Sequence, residues 1–266
     1  MPKSPTNFYQ PHDLLTALEL LRHPHTFPLG GGTKLLAQDV PGAVVDLQWV
    51  GLNQIYWETD QLHIGATVRL TDIDLALATA DNGRFPAPLL RQAIHQAGPN
   101  TYRNAATLGG SIASRLPDSE LLATLLALTA TLTLYTPDAT TLSLAEYLEA
   151  PERPFGLITQ IHVPWTAGQG QAERVARTPA DTPIVSVILW QPEGEAPRLA
   201  ATGIGARPCR LYRAETILAQ GRDQDALNQT AAAAHSATRH PGDFRGDTAY
   251  RADIVAILTR RVCLAK

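Results

Sequence analysis

Two glycine-rich segments limit what this chain can become. The first is Gly30-Gly31-Gly32-Thr33. The second is Thr107-Leu108-Gly109-Gly110-Ser111, where paired glycines follow a threonine and precede an apolar run. Glycine lets the main chain approach a flat or anionic group where a side chain would block it, and successive backbone N–H groups in such a turn form an anion-binding concavity. The first turn adds the Thr33 hydroxyl and the Lys34 charge; the second adds the hydroxyls of Thr107 and Ser111. Both are read as backbone turns that grip one dinucleotide at its pyrophosphate. The competing reading is a pair of tight turns that use glycine for geometry alone. G-x-G-x-x-G and G-x-x-x-x-G-K-[ST] are both absent, so neither common nucleotide-loop fingerprint applies.

The flanking pattern mixes strands and helices. Asn7 to Pro11 reads as extended, followed by a helix with Leu14, Leu15, Leu18 and Leu21 on one face, ended by His23-Pro24-His25. Thr26 to Leu29 is a strand that leads into the first turn, and Lys34 to Gln38 fits one helical turn after it. Val44 to Leu47 and Leu62 to Ala66 read as strands. Thr71 to Asp74 starts a helix, and Pro86 to Ala97 forms another that stops at Gly98-Pro99-Asn100. Beyond the second turn come a leucine-rich run to Leu128, a threonine–leucine alternation to Tyr135 that marks a half-buried strand, a short helix from Ser143, and a strand from Leu157 to Val163. Composition shifts at Thr166 to Gln171, where a domain boundary is expected. Ile184 to Trp190, Arg198 to Ile204 and Cys209 to Leu211 then read as strands. Ala214 to Ala219, Asp225 to Arg239 and Thr248 to Cys263 read as helices.

Composition removes several function classes. The 266 residues carry a net charge of −3 with 18% charged and 44% hydrophobic side chains, and no basic stripe suggests nucleic acid. Cys209 and Cys263 stand far apart, so cysteine cannot hold an iron–sulfur cluster or structural zinc within this chain; a cytosolic pair of buried or half-buried thiols is expected. Met1 to Asp13 has no apolar core of a signal peptide. Threonines break the apolar stretch Leu121 to Leu134, which falls short of the roughly 20 residues of a membrane helix. The expected location is cytoplasmic.

Glu120, after the second turn, is an acid suited to accept hydrogen bonds from ribose hydroxyls; the competing reading is a solvated acid that favours a helix dipole. His23 and His25 have no evident third metal ligand, and Arg103 reads as a support for the turn.

Taken in order, these segments resemble the FAD-binding subunit of the molybdenum hydroxylases, as in the medium chain of carbon monoxide dehydrogenases and the flavin domain of xanthine dehydrogenase. The resemblance rests on Leu29 to Leu36, Ile64 to Val68, Arg103 to Ala113, Leu157 to Pro164, Ala201 to Pro208 and Asp243 to Arg251. It implies an α+β protein with a vanillyl-alcohol-oxidase (PCMH)-type FAD-binding fold of two subdomains plus a C-terminal three-stranded sheet with helices. The implied domains are 1–167, with subdomains of about 1–55 and 56–167, and 168–266. It assigns FAD contacts to Leu29, Gly30, Gly31, Gly32, Thr33, Lys34 and Leu35, and to Thr107, Leu108, Gly109, Gly110 and Ser111. Glu120 falls at the ribose position, and Ala97 and Ile158 fall near the flavin or its linker. The sequence departs from the family pattern at Lys34, at Ser111 (usually asparagine), at Glu120 (usually aspartate) and at the bulky Arg115-Leu116. The segment from Pro137 to Pro154 is compact.

The implied role is an oxidoreductase subunit that transfers electrons. A large partner chain would carry a molybdenum cofactor, a small one would carry [2Fe–2S] clusters, and FAD would pass electrons to NAD, a quinone or another acceptor. Two alternatives stand beside it: a stand-alone flavin oxidoreductase, and a degenerate scaffold subunit that no longer binds FAD.

Overall fold

The computed structural model describes residues 4–80, 86–136 and 138–265. Pro137, at the start of the segment expected to be compact, and the outer domain limits at Met1 and Lys266 lie outside the described residues.

The chain begins with β1 (Phe8–Tyr9), α1 (Leu14–Leu21), β2 (Thr26–Leu29) and β3 (Ala43–Asp46), whose strands form a parallel sheet in the order β1-β3-β2. Asp13 caps α1 by accepting the Thr16 N–H at 2.8 Å. Leu14, Ala17, Leu18 and Leu21 face Val45, Leu47 and Val50. Leu15, expected on that face, points to solvent, because the apolar stripe follows positions i, i+3, i+4 and i+7 and Leu15 is one residue out of step.

Next come β4 (Ile55–Trp57), β5 (Gln61–Gly65), α2 (Leu70–Ala80), α3 (Ala87–Gln96), α4 (Asn100–Arg103), α5 (Leu108–Ser114), α6 (Glu120–Ala127), β6 (Thr131–Thr136), β7 (Asp138–Ser143), α7 (Leu144–Glu149) and β8 (Leu157–Pro164). The five strands form an antiparallel sheet in the order β4-β5-β8-β6-β7. Leu132 and Leu134 of β6 are buried between half-buried threonines, as the alternation requires. The glycines of the second segment do not form a free turn: they open α5, with Thr107 as its cap.

The remainder is β9 (Gly168–Val175), β10 (Val185–Pro192), β11 (Arg198–Thr202), β12 (Cys209–Arg210), α8 (Tyr212–Leu218), α9 (Gln224–Ser236) and α10 (Thr248–Leu264). The C-terminal sheet runs β12-β11-β10-β9. The three strands expected there are β10, β11 and β12. The fourth, β9, occupies the polar stretch expected to be a boundary, and its edge position needs backbone pairing rather than apolar side chains. Successive residues of a strand point to opposite faces. Ile188, Trp190 and Ala200 therefore join the large core over α6 and the five-stranded sheet, while Val187, Leu189, Leu199 and Ala201 join a second core with α8, α9 and α10.

Side-chain and backbone bonds lock this sheet to the turn between α5 and α6. Gly203 donates its N–H to the Pro117 carbonyl at 3.2 Å, and Arg245 pairs with Asp118 at 3.1 Å. The Arg251 guanidinium, fully buried, holds Arg245's neighbourhood in place through Asp243 (2.7 Å), Ile184 O (2.6 Å) and Gly203 O (2.8 Å). Both thiols are free, Cys263 buried and Cys209 half-buried, and burial pushes each up to about 11. Among the described residues no helix is long and apolar enough to cross a membrane, and no three His, Cys, Asp or Glu side chains cluster to hold a metal.

Candidate cofactor-binding site

The two glycine-rich segments meet. A Cβ built on Gly31 would lie 1.7 Å from the Ala105 carbonyl oxygen, and one on Gly30 would lie 2.7 Å from Thr107 Oγ1. Only glycine permits that approach. Gly32 adopts φ +71°, which turns the chain so that Leu36 N–H reaches the Gly32 carbonyl at 3.0 Å. Leu29 is buried and Leu35 packs beside it with Val40 and Val44. Thr33 is half-buried, and Lys34 reaches outward, its Nζ 5.4 Å from the centre of the Tyr102 ring.

The second segment is held by β5 and the residues after it. Leu108 N–H donates to Val68 O at 3.0 Å and Gly109 N–H to Ala66 O at 2.9 Å. A Cβ on Gly109 would meet Ala66 Cβ at 2.7 Å. Thr107 Oγ1 accepts the Gly110 N–H at 3.2 Å, and Ser111 Oγ donates back to Thr107 O at 2.9 Å. Arg103 donates to the carbonyls of His95 and Gly98, both at 3.1 Å, and supports the connection from α3 to α4.

Where the segments join, a cavity of about 270 Å³ opens, walled by Gly30, Gly31, Thr67, Arg69, Asn104 and Thr107. The Thr67 hydroxyl is buried there with no hydrogen-bond partner. A larger cavity of about 550 Å³ lies beside β11 and α8, but its Arg210 is bound by Glu215 at 2.6 Å and its Arg198 by Glu195, which leaves no unpaired charge to recruit a ligand.

Glu120, Ala97 and Ile158 do not wall the smaller cavity. Glu120 opens α6 and is buried; Arg174 of β9 stands 3.5 Å from its Oε2, which accepts no hydrogen bond. Burial raises the Glu120 carboxyl to about 7; Arg174 opposes that shift and Asp118 adds to it. Arg174 also donates to the Gln96 amide oxygen, and Ala97 follows as the C-terminal cap of α3. Ile158 is buried in β8 opposite Leu134. Sequence reasoning missed Arg69, Thr67 and Arg174. Thr67 lies within a recognised segment, but nothing in spacing marks the other two.

Residues 4–166 match the family described as the FAD binding domain in molybdopterin dehydrogenase, and residues 185–265 match the CO dehydrogenase flavoprotein C-terminal domain. The chain belongs to the FAD-binding medium chains of the molybdenum hydroxylase family. This medium chain is 30% identical over 257 residues to YgfM of Escherichia coli, an uncharacterised protein, with 94% of this chain and 92% of that one covered. It is 27% identical to the glyceraldehyde dehydrogenase medium chain of Sulfolobus acidocaldarius, with 96% of each chain covered. The fold matches that of a carbon monoxide dehydrogenase from Hydrogenophaga pseudoflava at a TM-score of 0.88, with 22% identity over 98% of this chain and 97% of that one.

The medium chain is thus an oxidoreductase subunit whose cofactor is FAD. The cavity suits such a group. Its glycine wall admits close main-chain approach, its unpaired Thr67 hydroxyl is ready to bond, and Arg69 brings positive charge to an anionic nucleotide.

Proposed function

We propose that this chain transfers electrons within a molybdenum hydroxylase complex, receiving them from [2Fe–2S] clusters of a small partner chain and delivering them to NAD, a quinone or another external acceptor. A large partner chain with the molybdenum cofactor would oxidise the organic substrate. The flavin supplies the redox chemistry, and the protein supplies binding, orientation and electrostatics. The reading is supported by the relatives named as medium chains of glyceraldehyde and carbon monoxide dehydrogenases. The observation that carries it is the contact of Gly31 with Ala105, which builds one concave wall from two distant segments.

In this reading Leu29 to Leu35 and Thr107 to Ser111 hold the FAD pyrophosphate from two sides. Glu120, braced by Arg174, faces the ribose, and Ala97 and Ile158 support the flavin or its linker. Residues 1–167 form the FAD-binding domain, with subdomains of about 1–55 and 56–167, and 168–266 form the second domain. The complex is assigned to the cytoplasm.

Purification of the chain with whatever accompanies it tests this. Visible flavin absorption with co-purifying iron and molybdenum chains is the expected result. A colourless protein that cannot be reconstituted with FAD would overturn the reading, and a flavoprotein that acts alone on an organic substrate would replace it with a stand-alone oxidoreductase.

A further inference from the structure

A phosphate held by the backbone N–H groups of the glycine segments would be bound more tightly with a cation beside it, and the obvious candidate is not the one in place. Lys34 follows the first glycine turn directly, yet its ammonium lies over the Tyr102 ring and does not wall the cavity. Arg103 is spent on the carbonyls of His95 and Gly98, and Arg91 is spent on Asp74 at 2.8 Å. Arg69 does wall the cavity, and among the described residues its guanidinium has no hydrogen bond or ion pair.

The backbone around Arg69 is fixed. It forms an antiparallel bridge with Thr107, Leu70 N–H donates to Ala106 O at 3.0 Å, and Leu108 N–H donates to Val68 O at 3.0 Å. The charged side chain therefore springs from the same framework that sets the second glycine segment. Thr67 lies two residues earlier, in the turn closed by the Val68 N–H donating to Gly65 O at 3.1 Å, and it walls the same cavity as Arg69. Its buried hydroxyl is the unpaired donor of the same cavity.

The geometry points to Arg69 and Thr67 as phosphate-binding residues for the ADP half of FAD, with Arg69 rather than Lys34 supplying the charge. This assignment rests on the FAD-binding role proposed above. A guanidinium suits phosphate because it stays charged and offers a fork of N–H donors that matches phosphate oxygens.

The test uses the full chain stripped of flavin, with FAD affinity read from flavin fluorescence at several salt concentrations and ADP titrated as a competitor. Arg69→Ala should weaken both FAD and ADP binding by about tenfold, the loss of one charge-assisted bond, and should flatten the salt dependence. Arg69→Lys should recover most of the affinity, and Thr67→Val should weaken both ligands while the far-ultraviolet circular dichroism stays that of the wild type. Arg213→Ala, on the exposed face of α8, should leave both affinities within about twofold. Wild-type affinity for FAD and ADP in Arg69→Ala would overturn the assignment and leave FAD binding intact. A wild-type chain that binds no FAD would instead overturn the underlying reading, and this assignment with it.

Discussion

Gly31 and Ala105 touch backbone to backbone: the Ala105 carbonyl oxygen occupies the space a Cβ on Gly31 would need, 1.7 Å away, with its carbon at 2.6 Å. The contact joins the parallel sheet to the helical layer, so the cavity wall exists only while both are seated. Gly31→Ala should force them apart. The expected cost is about 1–3 kcal/mol or more of stability, read as a lowered urea midpoint, together with loss of bound flavin. Gly221→Ala, where nothing lies within 4 Å, should leave both unchanged.

Glu120 makes stability depend on pH in a defined direction. Its carboxyl titrates near 7 in the folded chain, against an ordinary 4.5. The folded state therefore holds a proton across that interval that the unfolded state has released. The stabilisation is complete below about pH 4.5, declines as pH rises through about 7, and is level above that, a total of about 3 kcal/mol. Urea unfolding of flavin-free wild type and Glu120→Gln at about pH 5 and about pH 8 checks this: the variant should lose most of the difference between the two pH values.

Arg251 is a buried cation whose removal strands its acceptors. Its guanidinium serves Asp243, Ile184 O and Gly203 O, and its charge helps to hold the Asp243 carboxyl well below the usual carboxylate range alongside the Arg245 backbone N–H. Arg251→Leu should cost about 3–5 kcal/mol, measured by chemical denaturation, and Arg251→Lys should recover only part because it lacks the planar fork.

Thr107 caps α5 and also stands against Gly30. Thr107→Val keeps the shape and loses the bond to Gly110 N–H, so it should cost about 1 kcal/mol and weaken FAD binding. Thr107→Ser keeps the oxygen and should stay close to wild type in thermal unfolding and in FAD titration.

Much of this architecture is legible in the sequence because its signals are local. The glycine at position 30, the alternation of Leu132 and Leu134, and the capping box of Ser143 and Glu146 each announce an element from a few residues. What escapes depends on backbone pairing, which leaves no apolar pattern, or on distant partners. β9 is a run of glycine, glutamine and charged residues that becomes a strand only because β10 offers it a backbone edge. β7 is exposed and polar for the same reason. Gly109 and Gly110 look like a turn because glycine is a poor helix former, but Thr107 caps the helix and Ala66 leaves no room for a side chain at 109. Arg69 carries no spacing signal at all; its place on the cavity follows from a bridge to Thr107 formed only in the folded chain.

The bond from Arg245 to Asp118 spans 127 residues, and this separation sets an order of assembly. On the ribosome, both glycine segments emerge and can meet well before Arg245 is made. The turn between α5 and α6, with Glu120 at its end and Arg174 as its brace, stays unfastened until the C-terminal sheet has emerged. A chain that ends before Arg245 could still bring the two glycine segments together, but it would lack the bond to Asp118 in the turn that leads into Glu120.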